Sequence, residues 1–140
     1  MGQLKGALPD DTSYNLITEA TVSDLNTRLE HKITPRQFRP NFIVEGCQPY
    51  DEDNWKYVKI GNNVFEIIMP CLRCVLTTID PETGNKNPNN EPLKTLKTYR
   101  QPENEAIRKA YGSAPRMGLQ MALRSPPGAL VQVNDPVYVA

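Results

Sequence analysis

At 140 residues the chain has room for one domain and a modest core. Its 16 Lys and Arg are balanced by 16 Asp and Glu, so no net field recommends nucleic acid or an anionic membrane surface as a partner. No window approaches the ~18 consecutive apolar residues of a membrane span, and Met1-Gly2-Gln3-Leu4-Lys5-Gly6 lacks both a signal peptide's apolar centre and the Ser or Thr of a myristoylation site.

After a leading loop at Leu8-Pro9-Asp10-Asp11, the short apolar run Tyr14-Asn15-Leu16-Ile17 predicts a strand. Thr21-Val22-Ser23-Asp24 matches a capping box, and Val22, Leu25 and Leu29 fall at helical spacing, so a short helix is expected over residues 22 to 30. His31 follows it, where a lone imidazole caps carbonyls or faces water more often than it binds metal. Phe42-Ile43-Val44 reads as a buried strand, ended by Gly46-Cys47. Tyr50-Asp51-Glu52-Asp53-Asn54 lacks the Gly and terminal Glu of a calcium loop and reads as a solvated acidic turn.

Trp55 to Ile60 and Val64 to Met69 flank Gly61-Asn62-Asn63, which is hairpin chemistry because Gly and Asn tolerate the positive φ of tight turns. Residues 71 to 79 leave that hairpin, and Val75-Leu76-Thr77-Thr78-Ile79 favours a strand. Pro81 to Pro92 has turn residues and almost no apolar side chain, as expected of a mobile surface loop. Leu93, Leu96 and Tyr99 repeat at helical spacing behind Pro92; a second helix is expected from Pro102, with Ile107 and Tyr111 on one side and Gly112 as its stop. Gly118 to Leu123 and Leu130 to Val133 read as strands, and Asn134-Asp135-Pro136 turns into Val137-Tyr138-Val139. Many short strands with a few helices point to a mixed α+β architecture on a barrel-like sheet.

The chemistry should sit at Cys71-Leu72-Arg73-Cys74, where two of the three cysteines lie three residues apart around a guanidinium. A thiolate is a soft, anionic metal ligand, and an adjacent cation favours it. Three readings stay open on spacing alone. The pair could join Cys47 and His31 in a zinc site, although structural zinc usually draws on two short-spaced pairs. It could be a thioredoxin-like redox pair, which needs a helix after the first thiol. Or both thiols could be buried and inert. An odd number of cysteines with one Cys-x-x-Cys suits a reducing compartment better than a disulfide framework.

Arg39-Pro40-Asn41, Tyr50-Asp51-Glu52-Asp53-x-Trp55, Ile60-Gly61, Cys71-x-Arg73-Cys74-x-Leu76-Thr77-Thr78-x-Asp80-Pro81-Glu82-Thr83-Gly84, Glu91-Pro92-Leu93-x-Thr95-Leu96-x-x-Tyr99-Arg100 and Asp135-Pro136-Val137-Tyr138 occur in one order. That ordered set resembles the MOSC domain proteins of the mitochondrial amidoxime reducing component type, from about Asp10 to the C-terminus. The resemblance implies a single MOSC domain over residues 1 to 140, corresponding to the C-terminal part of family members, whose longer N-terminal segment carries a membrane anchor and a further sheet region.

It also implies a molybdenum cofactor, a pterin whose dithiolene holds the metal. Cys74 matches the family's added sulfur ligand, Arg39 and Asn41 match contacts to the pterin and its phosphate, and Leu72 and Arg73 match positions beside the metal. Thr12 and Ser13 fall within about a residue of another family contact. Leu72 stands where a small polar residue is common, and Asn134 where Gly is frequent. The reaction implied is two-electron reduction of N-hydroxylated compounds such as amidoximes, with electrons from NADH through a reductase and a b-type cytochrome. The location implied is the mitochondrion, at its outer membrane, with the cytosol as the alternative where the anchor is absent. A non-catalytic remnant serving as an interaction module, and a small zinc-stabilised binding domain, are the competing expectations.

Overall fold

The computed structural model describes residues 14–140. The expected first strand is present as β1 (Tyr14–Thr18), and strict alternation sends its side chains to two different cores. Leu16 faces one core with Val58, Ile60, Phe65, Leu119 and Met121; Ile17 faces the other with Val22, Leu25, Phe38, Leu96 and Met117. Burying each such side chain contributes about 1.5–3 kcal/mol, so β1 is the wall shared by both clusters. Tyr14, Phe42 and Phe65 close one end of the first core, with ring centroids 5.3 to 6.0 Å apart.

β1 pairs in parallel with β2 (Phe42–Val44) and antiparallel with β5 (Arg116–Leu123). The expected hairpin forms from β3 (Tyr57–Ile60) and β4 (Asn63–Leu72), with Gly61 at φ +58° in its turn. β4 then pairs with β5, and β6 (Val137–Val139) with β3. The strand order β2-β1-β5-β4-β3-β6 makes a nearly closed, barrel-like sheet, the α+β architecture expected. β2 is an edge strand, so Ile43 is exposed and only Val44 is fully buried, which corrects the reading of that run as a buried strand.

Of three short helices, the first two cover the second core. The first, α1 (Glu19–Asn26), starts three residues earlier than the expected box places it: Thr18 is the cap, its hydroxyl oxygen accepting from the Thr21 amide at 3.3 Å. Thr21 is instead buried within the helix, its hydroxyl oxygen accepting from the Tyr50 amide at 2.8 Å. α2 (Leu93–Tyr99) buries Leu93 and Leu96 as its spacing predicts. α3 (Glu105–Tyr111) is capped by Asn104 and stopped by Gly112, but none of its residues is buried and Tyr111 faces solvent.

Further expectations are corrected. Val75–Thr78 is a 3-10 turn, not a strand, because the Thr77 and Thr78 hydroxyls donate back to the carbonyls of Cys74 and Val75 at 2.8 and 2.6 Å. Leu130 to Val133 forms no strand, and Leu130 and Val133 are largely exposed. The loop from Pro81 runs over the surface as expected and opens with a turn in which the Asp80 carboxylate accepts from the amides of Glu82 and Thr83.

The acidic stretch is not a solvated turn. Asp51–Asn54 forms a 3-10 turn in which Glu52 is fully buried. Asp53 receives both guanidinium nitrogens of buried Arg100, at 2.8 and 3.0 Å, with Arg116 at 3.4 Å. Arg100 also lies over the Tyr50 ring, whose hydroxyl bonds Asp24 at 2.6 Å and the Tyr99 hydroxyl at 2.7 Å. This polar seam joins α1, α2 and β5 to the turn through paired charges, which is how charge is tolerated inside.

Burial pushes the Glu52 carboxyl above its ordinary value of 4.5; Oε1 accepts from the Thr18 hydroxyl at 3.2 Å while Oε2 has no partner among the described residues. The folded chain therefore holds this proton at pH values where the unfolded chain has released it, and stability falls as pH rises from 4.5 through the raised value. Glu52→Gln mimics the protonated form. In urea titrations across pH, the variant should be more stable than the native chain at neutral pH, with the gap narrowing as pH drops below the carboxylate range.

Candidate functional site

The site is built where β4 ends. β4 runs past Pro70 with irregular pairing between Ile67 and Met69 and again between Pro70 and Leu72, which bends it away from β5. Its last pairing residue is Leu72, half-buried, and the Arg73 amide then donates to Pro115 O at 2.8 Å. The chain turns sharply here, and the two cysteines part company. Cys71 is buried, with Gln120 Nε2 3.9 Å from its sulfur. Cys74 is exposed, and its carbonyl is pinned by the Thr77 amide and hydroxyl at 3.0 and 2.8 Å.

Arg73 is the bolt behind this turn. Its guanidinium is buried, with Nε donating to Met117 O at 2.8 Å, Nη1 to Phe38 O at 3.1 Å and Nη2 to Asn15 Oδ1 at 3.2 Å. The cation also sits over the Phe38 ring, 5.1 Å from its centroid. Burial lowers its pKa, opposed by the field of the Cys71 and Cys74 sulfurs. Gly118, at φ +84°, makes the space: a Cβ there would meet Leu16 O at 2.7 Å and Arg73 Nη2 at 3.2 Å. The sequence places Arg73 beside a metal; the structure shows its side-chain donors engaged by the framework that holds Cys74 outward.

Arg39 approaches from the other side. It takes the left-handed conformation at φ +51°, an arrangement that costs about 1 kcal/mol or more and is held by its own side chain. Nη1 donates to Leu76 O at 3.1 Å and Nη2 to Ile79 O at 3.4 Å, so the guanidinium lies along the turn that follows Cys74 while remaining exposed. Gln37 reinforces the same contact, donating to Thr77 O at 2.7 Å and Ile79 O at 3.2 Å. Asn41 is exposed and locked to β1, its Oδ1 accepting from the Asn15 amide and its own amide donating to Asn15 O, both at 2.8 Å.

Arg39 and Asn41 from one part of the chain and Arg73 and Cys74 from another thus meet in one hydrogen-bonded neighbourhood, linked through Asn15 of β1, with Leu72 at its edge. Thr12 and Ser13 lie outside the described residues, just ahead of β1. The framework residues Asn15, Phe38, Gln37 and Gly118 carry no motif of their own; only the glycine inside an apolar strand hinted at a close approach. Among the described residues no three His, Cys, Asp or Glu gather as a metal-holding group. The zinc set of Cys47, Cys71, Cys74 and His31 is therefore not assembled. What is presented is one exposed cysteine, an exposed guanidinium lying along the turn that follows it, and an exposed carboxamide on the same framework, a donor set that fits a group needing a single thiolate and contacts to an anion.

The fold and the family profile agree: the chain belongs to the MOSC domain family, which matches residues 3–138. It is 42% identical over 133 residues to mitochondrial amidoxime-reducing component 1 of Homo sapiens, covering 95% of this chain and 38% of that protein. Similarity of the same extent is found to mitochondrial amidoxime reducing component 2 of Rattus norvegicus, at 42% over 132 residues, covering 94% of this chain and 38% of that protein. Mitochondrial amidoxime-reducing component 1 of Danio rerio is 38% identical over 132 residues, with the same two shares of 94% and 38%. The chain spans about 38% of the length of these relatives.

The geometry separates the two motif residues by their structural weight. Arg73→Met takes the guanidinium donors from Met117 O and Asn15 Oδ1 and one of two donors from Phe38 O, and should destabilise the fold by about 2–4 kcal/mol in urea titrations. Cys74→Ala, at an exposed position, should change stability by no more than about 0.5 kcal/mol in the same measurement.

Proposed function

We propose that this domain takes part in molybdenum cofactor-dependent reduction of N-hydroxylated compounds such as amidoximes. The observation that carries the reading is an exposed Cys74 whose following turn is bound by the exposed Arg39 guanidinium at Leu76 O and Ile79 O, in a chain of the MOSC family similar along nearly its whole length to amidoxime-reducing components.

In this reading Cys74 supplies the protein's thiolate ligand. Its 3-10 turn holds the sulfur outward without further chain ordering, since Cys74 O, Val75 O and Leu76 O are already engaged. Arg39 offers a forked cation to the cofactor's phosphate or pterin oxygens, and Asn41 offers the amide nitrogen left over once its oxygen is bound to Asn15. Thr12 and Ser13 are proposed as further contacts, and Leu72 as a flank of the metal. Arg73 acts as a positioning residue, keeping β4, β5 and the Phe38 turn in register behind the sulfur. When bound, the cofactor supplies a two-electron reduction in which an N–OH group, two electrons and two protons give N–H and water.

Electrons are proposed to come from NADH through a reductase and a b-type cytochrome, with a mitochondrial location; the names of the similar proteins support the latter. No helix of the described residues is long and apolar enough to cross a membrane.

The test is the molybdenum and pterin content of protein purified from a host that makes the cofactor. The native chain should hold both, Cys74→Ala should hold neither, Arg39→Ala should hold less, and Cys71→Ala should keep most of its molybdenum. Equal loss in the two cysteine variants would overturn the ligand assignment. Zinc in place of molybdenum, or a native chain that binds no pterin, would leave the zinc-stabilised or the non-catalytic reading.

A further inference from the structure

The sheet is open along one seam. β2 and β6 are its two edges, and both line a single groove of about 1030 Å³. Among the described residues the backbone on each side of this groove has no strand partner, as the hydrogen-bond phase shows. The Asn41 amide points at β1, so by alternation the N–H and C=O of Phe42 and Val44 point away from it, towards the groove. Tyr57 and Ala140 exchange bonds between β3 and β6, so Val137 and Val139 direct theirs into the groove as well. Two facing rows of unused donors and acceptors form a template for one more strand.

Direction is fixed by the same topology. β2 runs parallel to β1, and four successive antiparallel pairings lead from β1 through β5, β4 and β3 to β6, so β2 and β6 run the same way. One inserted strand can therefore be antiparallel to both, the better-bonded arrangement on each side. Its chemistry is set by the walls. Ile43, Val131, Val133 and Val139 expose apolar surface there. The charged residues on the walls are Glu19, Glu45 and Asp135, with no Lys or Arg among the described lining residues.

We propose that this groove is a docking site for an extended strand of a partner polypeptide, with apolar side chains alternating with Lys or Arg, which completes the barrel by antiparallel pairing with β2 and β6. Backbone bonds supply the pairing, the valine and isoleucine walls take the apolar positions, and the three carboxylates select basic ones. This site does not depend on the cofactor reading.

Trp55, the chain's single tryptophan, lines the groove and reports on it. The native chain is titrated with a short acetylated, amidated peptide of alternating Lys and Val, with its Glu and Val counterpart, and with the Lys and Val peptide N-methylated on its backbone. A saturable change in Trp55 emission is expected with the first peptide, and binding about tenfold weaker or worse with the other two. Val139→Pro, which removes a groove-facing N–H without touching the bonds to β3, should weaken the first peptide likewise. Glu45→Lys, at an exposed position that should not disturb folding, should weaken the Lys and Val peptide and strengthen the Glu and Val one. No saturable signal, equal binding of the opposite-charge or N-methylated peptides, or a groove filled by a second copy in sedimentation without peptide would overturn the proposal.

Discussion

The arrangement depends on one buried cation that has no carboxylate partner among the described residues. Arg73 is satisfied by two main-chain carbonyls, one carboxamide oxygen and an aromatic face, drawn from β1, the Phe38 turn and β5. A charge taken out of water in this way is tolerated only while every donor keeps its acceptor. The four segments must therefore hold their positions together, and the turn that follows Arg73 inherits that rigidity. The consequence is an inside and an outside for the Cys-x-x-Cys motif: Cys71 stays in the sheet and Cys74 leaves it.

A second buried polar system lies among the helices. Asp53, Arg100, Arg116, Tyr50, Tyr99 and Asp24 join the helices to the Asp51–Asn54 turn, with Glu52 beside them and its carboxyl pushed up by burial. The acidic and basic residues that cancel in the composition are thus partly spent on internal pairing, and what remains on the groove between β2 and β6 is acidic. A balanced net charge conceals that local imbalance.

Much of the fold was legible because local signals and tertiary packing agreed. Apolar alternation located β1, the Gly61 turn located the β3–β4 hairpin, and the Leu93, Leu96 repeat located α2. Two of the misreadings come from a long-range partner that no local pattern shows, and a third from local side-chain bonding. The Asp51–Asn54 turn looked solvated because Arg100 lies 47 residues away from Asp53. Thr21 looked like a cap because its real partner, the Tyr50 amide, is 29 residues on. Val75–Thr78 looked like a strand because β-branched side chains usually favour one, yet two threonine hydroxyls found their own backbone first. At the site, family resemblance singled out Cys74, Arg39 and Asn41, whereas Asn15, which links them, stands out only in three dimensions and Gly118 left no more than the hint of a glycine inside an apolar strand.

The central claim is that this framework presents one sulfur and shields the other. The most direct measurement is the rate of thiol alkylation by iodoacetamide, mapped to each cysteine by peptide mass spectrometry on the native chain. Cys74 should be modified first while Cys71 stays protected until denaturant unfolds the domain. Modification of Cys71 as fast as Cys74 under native conditions would contradict the account.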